Sequence, residues 1–151
     1  MKLEIKLLQK GLTAVLAAIS LGIIIAVLSY TPPSQRIPNV ADFSFFEYFI
    51  LYTLFSLPVF LVGGVPYSLL IDFIVSKTKI KYTYITNLVF YSIGGVLVNY
   101  WFWTAFFDPN GYGIEWGLAR GMVILGIGAS LLFLHLSYLS KKIIFEGRFL
   151  R

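Results

Sequence analysis

The chain has 151 residues, of which 58% are hydrophobic and only 13% charged, and its mean hydropathy is +0.83. A water-soluble domain carries about 25% charged residues, so this chain has too few to clothe a soluble surface and must use the bilayer as its solvent. The net charge of +5 sits mainly at the ends of apolar segments, which reads as headgroup anchoring rather than nucleic-acid binding, and the absence of cysteine excludes disulfides and thiolate chemistry.

The opening MKLEIKLLQK places Lys2, Lys6 and Lys10 ahead of an apolar run over 11–30. A secretory signal starts similarly, but its apolar core is only about 7–15 residues long. This run is longer and no Ala-x-Ala-like cleavage site follows it. The expectation is a retained first helix over about 8–30 with its lysine-rich end inside. Ala14, Ala18, Gly22 and Ala26 recur every four residues. That spacing lines small side chains along one face, where a neighbouring backbone can approach closely. The following TPPSQRIPNVAD, at 31–42, ends the helix with three prolines. Asp42 or Ser44 is placed to cap the next helix.

Residues 43–76 form an apolar run of 34 residues. One straight helix of that length would reach roughly 50 Å, against a hydrocarbon core of about 30 Å. The GGVP at 63–66 predicts a break, because Pro66 has no N–H and glycine is a weak helix former; Pro58 adds a second kink point. Lys77, Lys79 and Lys81 then make an inner loop. A third helix over about 82–107 carries Asn87, Gly94, Gly95 and Asn99. DPNGYG at 108–113 has the composition of a compact turn. The fourth helix, about 114–140, holds Gly117, Arg120, Gly121, Gly128 and His135, and its Gly117/Gly121 pair offers another close-packing face. The basic, amphipathic KKIIFEGRFLR at 141–151 is expected to lie on the inner surface.

Ten of the twelve Lys and Arg residues fall in the N-terminus, the 77–81 loop and the C-terminal tail, leaving Arg36 and Arg120 on the other side. This is the positive-inside pattern with both termini cytoplasmic. Trp101, Trp103 and Trp116, with Tyr30 and Tyr112, gather at the outer boundary, and Tyr82, Tyr84 and Tyr138 mark the inner one.

Ionisable residues inside membrane spans are costly and therefore direct attention to function. They fall in two layers. Glu47 and Arg120, with Asn99 and Glu115 at the same level, lie near the outer face. A Glu47–Arg120 pair would lock the second helix to the fourth, as a structural ion pair or as the basis of an anion site; alternatively Arg120 snorkels outward. Asp72, Asn87 and His135 lie near the inner face. Asp72 and His135 either sit among headgroups or form an acid–imidazole pair of the kind used for proton relay. Enzymatic signatures are missing: one histidine and no cysteine exclude a His-rich metal centre, and no H-E-x-x-H, G-x-S-x-G or phosphate-binding glycine loop occurs. A Ser–Lys dyad from Ser76 and Lys77 or from Ser140 and Lys141 is disfavoured, because adjacent helical residues point in different directions.

The segment GVPYSLLID at 64–72, followed by a lysine loop and two further helices, resembles a family of small four-helix membrane proteins of Bacillus-type bacteria that has no assigned function. The resemblance implies a bacterial cytoplasmic-membrane protein and carries no catalytic or binding residue. The stretch 28–52 is also similar to the first loop and second helix of VanZ-like proteins, although that family's charged and histidine positions are not matched.

The sequence thus predicts an all-α, single-domain, four-span transmembrane bundle, N-in and C-in, with a broken second helix. It predicts no metal, cofactor or nucleic-acid partner. The expected partners are anionic headgroups at the inner face and a second copy or another membrane protein. The expected function is that of a non-enzymatic accessory, regulatory or immunity-type protein acting through intramembrane helix contacts. The alternatives are a small oligomeric transporter using Asp72/His135 or Glu47/Arg120, and a membrane-embedded enzyme acting on lipid.

Overall fold

A computed structural model describes residues 3–35, 42–78, 83–106 and 116–146. Every regular element among them is helical: α1 (Leu3–Ser29), a single 3-10 turn (Pro33–Gln35), α2 (Phe45–Pro58), a π-helical segment (Val59–Gly64), α3 (Val65–Lys77), α4 (Thr83–Phe106), α5 (Trp116–Ser140) and a second π-helical segment (Lys141–Glu146). Four helical stretches are long and apolar enough to cross a membrane: Glu4–Ser29, Phe45–Lys77, Thr83–Phe106 and Ala119–Ile143. At most 39% of any of these spans is buried within the bundle. The remainder presents Leu, Ile, Val and Phe outward, as a lipid-facing surface requires. Arg36, Lys79, Lys81, Tyr82, the 108–113 turn, Glu115 and the end of the basic tail lie outside the described residues.

The helices assemble as two hairpins. α1 packs along α2, α4 packs along α5, and α1 against α5 joins the pairs. Small residues set the first contact. Ala14, Ala18 and Ala26 are fully buried, and a Cβ on Gly22 would run into Thr53 Oγ1 and lie 3.1 Å from the Phe49 carbonyl oxygen. The second contact depends on Gly95 and Gly126. A side chain on Gly95 would strike the Gly126 carbonyl, and one on Gly126 would lie 2.6 Å from that of Gly95. By contrast, a Cβ on Gly117 or Gly121 would meet nothing within 4 Å. These two glycines therefore pack no other described helix of this chain, and the close approach on α5 is made one and a half turns further along.

Between 58 and 66 the backbone stays in the right-handed helical region, with φ −63° and ψ −34° at Pro58 and φ −67° and ψ −46° at Gly64. What changes is hydrogen-bond register. The Val59 N–H bonds to the Ser56 carbonyl, three residues back, whereas the Val65 N–H bonds to that of Phe60, five residues back. Pro58 and Pro66 bracket the segment and supply no N–H, so the regular four-residue ladder fails at both ends. The segment packs on α1 and α4. It buries Phe60, whose ring stacks on Phe133 at 5.8 Å, and Phe133 stacks in turn on Tyr91 at 6.4 Å.

Candidate functional site

α1 begins at Leu3 rather than near residue 8, so Lys10 sits two turns inside the helix instead of in its charged lead-in. Lys6, Gln9, Lys10 and Thr13 then share one face at helical spacing. Gln9, Lys10 and Thr13 are buried, together with Ser137 and Ser140 of α5. Lys10 Nζ donates to Ser137 Oγ at 3.0 Å and lies 3.1 Å from Asp72 Oδ2 of α3. One lysine therefore ties three helices together. Gln9 Nε2 donates to the Ser137 carbonyl at 3.0 Å, and Thr13 Oγ1 donates to the Gln9 carbonyl at 2.8 Å and lies 2.9 Å from Ser140 Oγ. Ser140 Oγ is also 3.1 Å from the Ser137 carbonyl, and the π register of the chain end starts at the next residue.

Two of the pairings the sequence allows are not formed. Asp72 faces Lys10, not His135. His135 is exposed on α5 and faces Tyr84: its Nδ1 is 2.7 Å from the Leu131 carbonyl, which only accepts, so Nδ1 carries the hydrogen. Nε2 lies 3.1 Å from the Tyr84 hydroxyl. The Glu47–Arg120 pair is likewise not assembled. The Glu47 carboxylate accepts from the Ser44 N–H at 2.6 Å in a capping box at the start of α2, and Arg120 is exposed on α5. Asn99 spends its amide on the Met122 carbonyl at 2.8 Å, bridging α4 to α5.

Around the ion pair lies a polar cavity of about 300 Å³, walled by Lys6, Lys10, Lys141, Asp72, Asn87 and Ser137 among others. Thr83, Asn87 and Tyr91 of α4 face it at four-residue spacing. Asn87 donates to Tyr138 Oη at 2.6 Å, while its buried carbonyl oxygen has no partner among the described residues. A second cavity, about 450 Å³, occupies the half of the bundle away from the lysines. Its walls are overwhelmingly apolar and come from all four spans, including Phe55, Phe60, Val98, Trp103 and Phe133. Tyr91 belongs to both walls. α2 leans on α1 and packs little on α4 or α5. The larger cavity is therefore a wedge between the two hairpins, and the outward exposure of Leu51 and Phe55 on its rim opens it sideways toward lipid.

An ammonium at Lys10 has three hydrogens and no lone pair, so toward Ser137 it is a donor and not a proton acceptor. Among the described residues no group of three or more His, Asp or Glu side chains comes together as a metal site. Sequence reasoning assigned Lys10 to the headgroups, passed over Gln9, Thr13 and Ser137, and weighed Ser140 only as a disfavoured partner of Lys141. The Lys6-Gln9-Lys10-Thr13 spacing is the signal that points to them. No protein-family model matches the chain, and neither a curated protein nor a solved structure does.

Proposed function

We propose that this chain is a non-enzymatic accessory, regulatory or immunity-type protein of a bacterial cytoplasmic membrane, with both termini on the cytoplasmic side. It acts through helix contacts within the bilayer. The observation that carries this reading is a face of α5 that no described residue covers. Gly117, Gly121 and Gly128 have open space where a Cβ would stand, and Ile124 on the same face is 72% exposed. Glycines at four-residue spacing facing outward let another helix approach closely, the arrangement by which transmembrane helices associate. The charge distribution supports the orientation, since ten of twelve basic residues fall on the side assigned to the cytoplasm. Transport through Asp72/His135 or Glu47/Arg120 has no assembled pair to rest on.

Cysteine placed at Gly121 and oxidised in native membranes tests the contact. A crosslinked dimer, or a defined adduct with another membrane protein, is expected, and Gly117→Ile should abolish it. Uncrosslinked monomer throughout would refute the reading. A reporter fused after Arg151 and active only outside the cell would refute the orientation.

A further inference from the structure

We propose that the two cavities form one site for an anionic phospholipid, with the phosphate among Lys6, Lys10 and Lys141 and one acyl chain in the apolar wedge. The site is independent of the α5 face on which the proposed helix contacts depend.

Three observations converge on this occupant. The first is charge. Lys6 and Lys10 face one carboxylate, Asp72, in the polar cavity, an excess of one positive charge before Lys141 on the same wall is counted. An anion neutralises that excess, and a phosphate has enough acceptor oxygens to serve several ammonium groups at once. The second is continuity. Tyr91 walls both cavities, so a molecule with a polar head and an apolar chain has its two environments end to end. From Asn87 to Trp103 along α4 is about 24 Å at 1.5 Å per residue, a span suited to a headgroup region and one extended chain. The third is access. The wedge opens between α2 and the α4–α5 pair, toward the bilayer, which makes a resident phospholipid the source. Both volumes lie within the range of about 300–1,000 Å³ usual for small-molecule sites.

Asn87 adds a selective contact. It is 8% exposed and lines the polar cavity, and its carbonyl oxygen has no partner among the described residues. Turning the amide over would let Tyr138 donate to that oxygen and would leave the NH2 group without one instead. In either orientation a buried amide atom remains for the glycerol or phosphate portion of a ligand, and burying it unsatisfied is costly.

Trp103, in the wedge wall, is a built-in reporter. The full chain with Trp101 and Trp116 changed to Phe is placed in neutral detergent and titrated with phospholipids brominated on the acyl chain, which quench tryptophan at contact. Brominated phosphatidic acid and phosphatidylglycerol should quench Trp103 at concentrations at least tenfold below brominated phosphatidylcholine. Lys6→Gln should weaken the anionic lipids by about fivefold, since each lysine near anionic headgroups contributes about that factor. Filling the wedge with Ala129→Phe, or with Ser56→Phe should the first variant not fold, should abolish the preferential quenching. Equal quenching by phosphatidylcholine, or preference surviving both filled variants, would overturn the proposal. Binding confined to a brominated fatty acid or lysophospholipid would also overturn it, by assigning the site to a single-chain amphiphile.

Discussion

Lys10 of α1 and Asp72 of α3 meet at 3.1 Å with very different exposure: the lysine side chain is 5% exposed and the aspartate 37%. The pair is thus a buried cation held by a carboxylate that keeps a foothold outside the bundle. Ser137 supplies a further acceptor from α5. The ammonium is satisfied by three helices acting together, and a change at any of the three partners is felt by the others.

Asp72→Asn would leave that ammonium buried without its counter-charge. Breaking a fully buried pair costs about 3–5 kcal/mol, and the partial exposure of Asp72 brings the expectation to about 2 kcal/mol. Combining it with Lys10→Met removes the stranded charge and should recover most of the loss. Unfolding titrations in mixed micelles measure both. If Asp72→Asn unfolds with the native protein, the pair is not a structural lock.

Gly95 on α4 and Gly121 on α5 predict a contrast. Gly95→Ala forces a methyl against the Gly126 carbonyl, and backbone cannot yield as a side-chain tip would. A loss of about 1–3 kcal/mol is expected, the usual range for overpacking. Gly121→Ala meets open space within this chain and should change the stability of the monomer by no more than about 0.5 kcal/mol. Thermal denaturation of monodisperse protein in detergent separates the two. Equal losses would show that helix propensity, not the crossing, sets the effect.

The number of spans, the apolar exterior and the small-residue face of α1 were legible because length and hydropathy act locally. Lys10 was not. A lysine near the start of an apolar run satisfies the positive-inside rule whether it lies in the headgroups or one turn deeper. Only the earlier start of α1 and the arrival of Asp72 from α3 decide between them. The α4–α5 crossing was hidden for a related reason: Gly95 and Gly126 lie on different helices, and no periodicity within either one pairs them. The register shift over Val59–Gly64 was partly visible, since Pro58 and Pro66 mark its ends. Composition does not say whether two prolines break a helix or widen one turn of it.

Phe133 is 2% exposed and stacks on both Phe60 and Tyr91, which line the apolar cavity with it. Phe133→Ala should cost about 3 kcal/mol, the lower end of the range for deleting a buried phenyl ring, because the wedge beside it lets the site relax. Phe133→Leu should cost markedly less. Denaturant unfolding gives the ranking, and an inverted order would mean that the stacked rings add nothing to packing.

The capping box at Ser44 and Glu47 yields a prediction that also tests the separation of Glu47 from Arg120. Ser44→Ala removes the acceptor for the Glu47 N–H, 3.3 Å away, and should destabilise α2 by about 1 kcal/mol. Glu47→Gln keeps a side-chain oxygen for the Ser44 N–H and should cost only a few tenths of that. Arg120→Ala lies on an exposed position of α5 and should fall within about 0.5 kcal/mol of the native protein. The Glu47→Gln and Arg120→Ala effects should then add, since residues without a shared contact show no coupling beyond about 0.3–0.5 kcal/mol. A double-mutant cycle in detergent measures the coupling directly. A value near 1 kcal/mol or more would restore the ion pair between α2 and α5 and remove the capping box as the main role of Glu47.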